Sequence, residues 1–592
     1  MIKREELMIV RLPSEEGEDA SWALFRDPLK VIVANLADEV IPALQEVESF
    51  SLAGKYVAGF LSYEASPAFD EALVVNTSDD ITRTFPLLYF GVYDRPYRIF
   101  TSFSNEELVD VSASTPEISE DDYLADVKKI KKYIYDGDIY QANYTFRTKF
   151  NKIEDSYNLF CHLMKEHPVP YGAYIETAEF QILSLSPELF IEKKGDHLLS
   201  IPMKGTASRE VTFKEDLEAV ANLSEDPKNR AENIMIVDMV RNDLGRICRN
   251  GSIKVDPLCR VDTYSTLHQM VSEVYGNLKK GIGLVEIFTA MFPAASITGA
   301  PKIRAMEIIK ELEESPRKLY TGSVGCITPE YNFCFNVAIR TLLSFSDGAE
   351  LGIGSGIVAD SIPEAEWNES LLKSHFLSSR TSDFLMLETI LLKKRKFVLL
   401  DEHLSRVRNS QNYFGYIWDQ NKVIDALNSA VAIFSESVEY AKVRLLIDSA
   451  GEVEVDISQL EYYGWGKKNA IIKLAEERTD SRDLFLYHKT TNRDFYNQYY
   501  RKALAEGLDE IIFMNEKGEI TEGAISNIFI KDGGNWFTPP VKCGLLPGVW
   551  RTKLIRELSA EEKIFYLEDL RAADKIVICN SLRGETECVL LF

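Results

Sequence analysis

The sequence predicts an α+β protein built as two lobes, and three observations carry that prediction. Strand-like runs such as "KYVAGFLSYEA" and "LLYFGVY" are mixed with strongly periodic helical stretches. At Ser374–Phe384 a helical pattern ends in the small polar residues of "SHFLSSRTSDF". The pattern then restarts with "FLMLETILL", strand-like, and "KFVLLDEHLSRVRNSQNYFGY", helical, so a second mixed lobe follows a short linker. The boundaries read as 1–110 for a scaffold region, 111–378 for the chemically rich part of the front lobe, and 384–592 for the rear lobe.

A chain of 592 residues is too long for one ordinary core and has room for about four folding units. Hydrophobic residues at 45% and charged residues at 27% give the balance of a folded, soluble chain. Lys and Arg number 67 against 92 Asp and Glu, a net charge of −25 that repels nucleic acid and anionic membrane. A small anionic ligand must therefore be caught by a local cationic or metal site. The N-terminal "MIKREELMIV" has no signal-peptide core. No window approaches the ~18 uninterrupted apolar residues of a membrane span. Eight cysteines without a C-x-x-C pair argue against zinc ribbons and for reduced thiols. A cytoplasmic protein is the expectation.

In the front lobe, "SIPMKGTASRE" sets Lys204 after a short apolar run, where Gly205 and Thr206 turn the chain. Taken alone, Lys204 is a solvated turn lysine. "RAENIMIVDMVRNDLGR" predicts a helix over Arg230–Arg246 whose apolar arc includes Glu232 and Asp243. An inward carboxylate wants a cation, a donor or a metal. "EAEWNESLLKS" puts Glu366, Glu369 and Lys373 on one helical stripe, which suits either a surface salt-bridge ladder or a Mg²⁺ site. Spacing alone leaves both open. "GIGSGIV", Gly352–Val358, lacks the G-x-G-x-x-G spacing and predicts a strand-to-turn segment whose N–H groups hold an anion. There is no G-x-x-x-x-G-K-[ST] loop.

Eight ordered blocks, "GDIYQANYTFR", "SLSPELF", "PMKGTASR", "ENIMIVDMVRNDLGR", "SITGAPKIRAMEII", "YTGSVG", "FNVAIRTL" and "GSGIVADSIPEAEWNE", resemble the chorismate-utilising enzymes. That family includes anthranilate synthase and aminodeoxychorismate synthase component I. The resemblance implies antiparallel sheets packed with helices, and Mg²⁺ held by Glu232, Glu366 and Glu369. It implies that Tyr320, Arg340, Lys373 and the backbone of Gly205, Thr206, Gly354, Ser355 and Gly356 bind chorismate. His268 matches a family histidine near the substrate, and it reads equally as a satisfied core histidine. Gln141 stands where water-adding members carry a lysine base. Lys204 stands where anthranilate synthases have alanine, and component I of aminodeoxychorismate synthase has lysine there. By that resemblance Lys204 attacks the ring, and Glu188 protonates the departing hydroxyl. No match to the "LLES" segment of tryptophan-regulated members is present, so tryptophan inhibition is not expected. Nothing resembles a glutamine amidotransferase, so ammonia is expected from solution or from a separate glutaminase subunit.

In the rear lobe, "LYHKTTNRDFY" contains Lys489, "GEITEGAISNIFI" supplies Glu522, Ser526 and Asn527, and "EHLSRVRNS" supplies Arg406. "GLLPGVWR" offers Gly548 and Val549 where a helix begins. Individually, Lys489 also reads as a surface lysine and Glu522 as a turn acid. Together they offer what pyridoxal phosphate needs: an amine, an acid for the pyridine nitrogen, and donors for the phosphate. The set resembles the fold-type IV pyridoxal-phosphate enzymes, two-subdomain α/β proteins that include branched-chain and D-amino-acid aminotransferases and aminodeoxychorismate lyase. It implies Lys489 as Schiff-base lysine, Glu522 at the pyridine nitrogen, and Arg406, Ser526, Asn527, Gly548 and Val549 around the cofactor, with homodimerisation through this lobe. Trp550 departs from the small hydroxyl residue often found after that turn. The two resemblances together imply consecutive steps from chorismate and ammonia to 4-aminobenzoate, a folate precursor. The rival reading is an anthranilate synthase joined to an aminotransferase.

Overall fold

A computed structural model describes residues 6–13, 21–77, 85–100, 103, 111, 114–377, 384–435, 437–460, 464–465 and 469–591. Most of the stretch read as a linker lies outside the described residues. The chain forms two units, Met1–Ser208 with Val220–Thr381 and Arg209–Ala219 with Ser382–Phe592. The sequence reading kept Arg209–Ala219 in the front lobe, but the segment folds with the rear unit.

Two antiparallel sheets, of ten and nine strands among the described residues, carry the front unit. Period-two alternation sends the two faces of each strand to different cores. In the strand Leu7–Arg11, Met8 and Val10 join Ala58, Phe60 and Val324 of the other sheet, whereas Leu7 and Ile9 join Val127 and Phe160 of the helical layer. Helices Ala37–Leu52 and Leu284–Met291 cover the outer face of the second sheet. The order of layers is helix, sheet, sheet, helix. Strands Leu7–Arg11 and Trp22–Arg26 belong to one sheet and Tyr56–Leu61 and Leu88–Tyr93 to the other, so these strands from the region read as a separate scaffold are woven into the same architecture.

Six elements shape the front cavity: strands β1 (Gln141–Phe150), β2 (Met203–Ser208), β3 (Leu267–Val271) and β4 (Gly348–Ile357), and helices α1 (Pro227–Ile247) and α2 (Pro363–Leu372). The Asp226 carboxylate caps α1 by accepting the Asn229 N–H at 2.7 Å, and Pro227 sits in its first turn. The expected turn at Gly205 is instead a β-bulge: Met203 pairs with Val271 and Thr206 with Gln269, leaving Lys204 and Gly205 opposite a single residue. Gly205 has φ +93°, and a Cβ there would come within 3.1 Å of Asn229.

The expected strand-to-turn at Gly352–Val358 is also corrected. β4 pairs with β1 from Ala349–Phe150 to Ile357–Ala142, so all but Val358 is strand. On its other edge, Thr341–Phe345 pairs no further than Leu351. From Gly352 onward that edge is open among the described strands, which frees backbone groups without a turn. The glycines let neighbours approach: a Cβ on Gly352 would lie 2.2 Å from the Tyr320 ring.

Behind Tyr320 lies a buried ionic group. The Arg317 guanidinium, 1% exposed, donates to both Glu313 oxygens at 2.6 and 2.9 Å, and Arg147 sits 3.7 Å from Glu313 and under the Tyr320 ring. Two cations thus share one buried carboxylate.

Among the described residues the rear unit has two sheets, of four and eight strands. Strand Met386–Lys393 and strand β5 (Tyr440–Ile447) form the middle of a four-stranded antiparallel sheet. Helices α3 (Leu400–Phe414) and Gln420–Ile433 pack on it through Leu404, Val407, Val423 and Leu427 against Val443 and Leu445. The second sheet has eight strands, with Asn469–Thr479 parallel to both β6 (Glu510–Asn515) and Gly584–Leu591. Helix α4 (Asp494–Ala505), strand β7 (Ile520–Gly523) and helix α5 (Val549–Leu558) complete the elements around its cavity. Among the described residues no helix is long and apolar enough to cross a membrane. None of the eight cysteines is in a disulfide.

Removing one partner of a buried ion pair costs about 3–5 kcal/mol. Glu313→Gln is therefore expected to lower the urea midpoint of the front unit clearly. A midpoint equal to wild type would contradict the role given to this group.

Candidate active sites

The bulge of β2 and the open edge of β4 face one cavity of about 280 Å³. Lys204, Gly205 and Thr206 line it from β2, Glu232 from α1, and Gly354 and Gly356 from β4. Glu366 and Glu369 reach it from α2, with Lys373 at that helix's C-cap. Glu188, Tyr320 and Arg340 close the walls. The residues expected from the sequence converge here with few exceptions.

Gln141 stands just behind the wall: a Cβ on Gly356 would lie 2.8 Å from both Gln141 Nε2 and Lys204 Nζ. Gln141 is fully buried, and neither polar atom of its amide has a hydrogen-bond partner among the described residues. A buried amide without partners is costly, so a ligand or water beside Lys204 fits this position. His268 is a correction. Alternation along β3 turns Leu267 and Gln269 to the cavity, while His268 is buried with its Nδ1 3.0 Å from Thr263 Oγ1. The Ser355 hydroxyl likewise faces Tyr123 at 3.2 Å, leaving its backbone for the open edge.

Burial pulls the Lys204 amine below the usual lysine range, opposed chiefly by Glu232, with Lys373 adding to the drop. Burial pushes the Glu188 carboxyl up to about 7, against a 2.5 Å hydrogen bond donated by Ser296 and the charge of Lys204. Burial also raises Glu232; Lys204 and Lys228 oppose this, and Glu366 and Glu369 add to it. For Glu369 burial acts upward, but Lys373 at 2.8 Å prevails and lowers it. The ion pair of the expected surface ladder is thus present on a cavity wall. Asp243 is neutralised elsewhere, by Lys302 at 3.0 Å.

Among the described residues no three carboxylates converge as a finished metal cage. Mg²⁺ needs none, because it takes one or two carboxylates and completes its shell with water and substrate oxygens. Glu232, Glu366 and Glu369 line the cavity from two helices, and Mg²⁺ bound among them needs direct bonds to only one or two, with water and substrate oxygens for the rest.

The rear cavity, about 200 Å³, is lined by Arg406, Lys489, Glu522, Ser526, Asn527 and Val549 among others. Its Lys489 carbonyl accepts the Leu387 N–H at 2.9 Å, which pins the lysine beside strand Met386–Lys393. Burial lowers the Lys489 amine to about 7, with Arg493 and Arg406 adding to the drop. Burial raises Glu522, on β7, to about 8. The Arg406 guanidinium is held by Glu388 through bonds of 2.8 and 2.7 Å, and His403 Nδ1 lies 2.7 Å from the same carboxylate.

Of the expected cofactor contacts, the Ser526 hydroxyl, expected at the phosphate, has another partner, and the Asn527 side chain supports the acid. The Ser526 hydroxyl donates to Glu510 at 2.7 Å. The Asn527 amide donates to Glu522 at 3.1 Å and to the Leu546 carbonyl at 2.9 Å, so it supports the acid. Gly548 precedes α5 with no side-chain cap, and a Cβ there would lie 1.9 Å from Asn527 Oδ1. An uncapped helix start beside an arginine suits a phosphate. A raised carboxyl suits a pyridinium, whose charge would restore its ionised form. The residues therefore fit pyridoxal phosphate. Trp550 turns its indole N–H to Glu585 at 2.7 Å.

Sequence reasoning missed Ser296, Lys228 and Gln269 in front and Glu388, Arg493 and Arg583 behind, all at or beside the cavities. Glu388 carried a readable signal: one acid inside the apolar run "LMLETILL", with His403 and Arg406 at i, i+3 on the next helix. Arg493 and Arg583 carried none, because each is a lone charge near a helix start or turn.

Fold and cavities define a two-site enzyme-like protein, each site built around a buried amine and a carboxyl of raised pKa. Residues 102–379 match the family described as chorismate binding enzyme, and residues 385–590 match amino-transferase class IV. Aminodeoxychorismate synthase component 1 of Bacillus subtilis is 44% identical over 257 residues, 43% of this chain and 54% of that protein. An anthranilate synthase component I-like protein of Synechocystis sp. is 36% identical over 348 residues, 54% of this chain and 71% of that protein. The crystal structure of anthranilate synthase component I from Streptococcus pneumoniae TIGR4 shares the fold at 22% identity and a TM-score of 0.51, over 64% of this chain and 93% of that one. The chain spans about half the length of most curated relatives it matches. It belongs to the chorismate-binding enzymes and carries a class IV aminotransferase region behind that part.

Gly356→Ala would push a methyl group against Lys204 and Gln141, both flexible ends. We expect the front reaction to fall at least tenfold with little change in thermal midpoint. Full activity in this variant would remove Lys204 and Gln141 from the reacting centre.

Proposed function

We propose that the chain makes 4-aminobenzoate from chorismate and ammonia in two steps, one in each unit. The observation that carries this reading is Lys204, bulged into the front cavity between Glu232, Glu188 and the unpartnered Gln141 amide.

In the front unit, Mg²⁺ held by Glu232, Glu366 and Glu369 would neutralise the ring carboxylate of chorismate. Arg340, Tyr320, Lys373 and the open edge of β4 orient the remainder. Lys204, its amine pulled below the usual lysine range by burial, attacks ring C2 while Glu188 gives its proton to the C4 hydroxyl, which leaves as water. Ammonia then bonds to C4 and expels Lys204, giving 4-amino-4-deoxychorismate. A separate glutamine amidotransferase subunit would deliver the ammonia, consistent with the "component 1" in the name of the Bacillus subtilis relative.

In the rear unit, pyridoxal phosphate supplies an electron sink when bound. Lys489 would hold its aldehyde, Glu522 the pyridine nitrogen, and Arg406 with the start of α5 the phosphate. With the cofactor bound, the Lys489 amine would take the proton from the ring carbon bearing nitrogen. The ring C–O bond to the enolpyruvyl group would then break, the released enolpyruvate taking a proton on its methylene carbon to become pyruvate as the ring becomes aromatic.

Purified protein with Mg²⁺, pyridoxal phosphate, chorismate and ammonium is expected to release pyruvate and 4-aminobenzoate together. Anthranilate as the sole product would favour the rival reading, which the anthranilate synthase relatives keep alive. Lys204→Ala is expected to abolish amination at C4, and Lys489→Ala to stop the second step while 4-amino-4-deoxychorismate accumulates. Front-lobe turnover should also fall as pH rises through about 7, because Glu188 acts only while protonated. Glu188→Gln should flatten that limb and cost roughly 10²-fold or more in rate. An unaltered pH profile would exclude Glu188 as the acid.

A further inference from the structure

Beside the rear cavity lies a second groove of about 340 Å³ that shares Thr389, Arg493 and Ile525 with it. Lys442 and Arg444 enter the groove from β5, and Arg501 from α4. Four cations and no carboxylate line it, in a chain whose acids outnumber its bases by 92 to 67. Among the described residues none of the four makes an ion pair. Asp456 stands opposite Arg444 in the neighbouring strand without forming one.

The alternation of β5 explains the concentration of charge. Ala441, Val443, Leu445 and Ile447 are buried toward the helices, which leaves Lys442 and Arg444 on the other face of the sheet. Arg493 ties the two spaces together. Its Nη2 donates to the Ala524 carbonyl at 2.6 Å, which fixes the guanidinium on the shared wall near Lys489. Unpaired cations in an acidic protein attract small anions by the local field, against the field of the whole.

We propose that this groove is the capture and specificity site of the rear cavity for an amine carrying two carboxylates. The amine reaches Lys489, one carboxylate rests on Arg493, and the second on Lys442, Arg444 and Arg501. This inference rests on the reading that the rear unit takes such an amine, and it goes further by naming what selects it. Ordinary amino acids, with one carboxylate, would leave the outer cations unused.

The test compares the full-length, cofactor-loaded protein with Arg444→Gln, Arg501→Gln and the double variant. The probes are 3-(carboxymethoxy)benzoate, a ring with two carboxylates and no amine, and 3-methoxybenzoate, with one. Affinities are measured by equilibrium dialysis at low and high salt. The front cavity is common to all the proteins and cancels in the comparison. Wild type is expected to prefer the dicarboxylate at low salt, with a preference that shrinks as salt rises. Each variant should lose about three- to fivefold of it, and the double variant nearly all. An unchanged preference in the double variant overturns the proposal. So does a change of oligomeric mass in that variant with the preference intact, which would make the face a subunit contact. Supplying 4-amino-4-deoxychorismate to the same proteins separates the two readings. If wild type yields no 4-aminobenzoate but the variants lose the dicarboxylate preference, the reaction falls and the groove stands. If wild type yields 4-aminobenzoate and the preference is unaltered, the groove alone falls.

Discussion

The cost of taking charge out of water organises both units. An isolated buried charge costs several kcal/mol, so every one must find a partner, change its protonation state, or await a ligand. All three outcomes occur here. Arg317 and Arg147 share Glu313, and Arg406 and His403 share Glu388. Glu188 and Glu522 move toward their neutral forms. Arg340 lines the front cavity with no acidic partner among the described residues, a charge left for an anion. The satisfied groups fix the scaffold, and the unsatisfied ones mark where chemistry can occur.

Backbone irregularity decides which groups remain unsatisfied. Had β2 paired with β3 without its bulge, Lys204 would have kept the strand's strict alternation. The extra residue re-aims it. Had Thr341–Phe345 continued beside β4, the edge at Gly352–Ile357 would have been sealed by a ladder. Instead the Lys373 ammonium donates to the Gly354 carbonyl at 2.9 Å, and the remaining polar groups face the cavity. Glycine at alternate positions of β4 permits both arrangements, because Tyr320 and Lys204 occupy the space their side chains would fill.

Much of the site was legible because its side chains violate local expectation. A glutamate in the apolar arc of α1 and a lysine at a glycine after an apolar run are such violations, and both line the front cavity. What the sequence concealed depends on partners distant along the chain. A bulge looks like a turn until Val271 and Gln269 are set opposite Met203 and Thr206. His268 cannot be assigned to a face until the register of β3 is known. Ser526 looks like a phosphate ligand until Glu510 is placed beside it. The joining of Arg209–Ala219 to the rear unit has no local cause at all: it rests on Arg209 stacking over Tyr413 at 4.1 Å and on the Val211 carbonyl 3.1 Å from His488 Nε2.

The two amines are lowered by the same cause but in different company, and this bears on how each can act. Lys204 is surrounded mainly by carboxylates, which pull its pKa back up against burial. On the proposed reading, a ligand or ion that occupies those carboxylates removes the opposition, so the amine would become a better nucleophile once substrate is in place. Lys489 has Arg493 and Arg406 as its strongest charged neighbours, which push in the same direction as burial and bring it to about 7. On the proposed reading, that leaves it ready to bond the cofactor's aldehyde before any substrate arrives. An amine primed by its substrate suits a transient covalent attack, and one primed by fixed cations suits a standing attachment. The difference lies in the neighbours, since burial alone would treat both lysines alike.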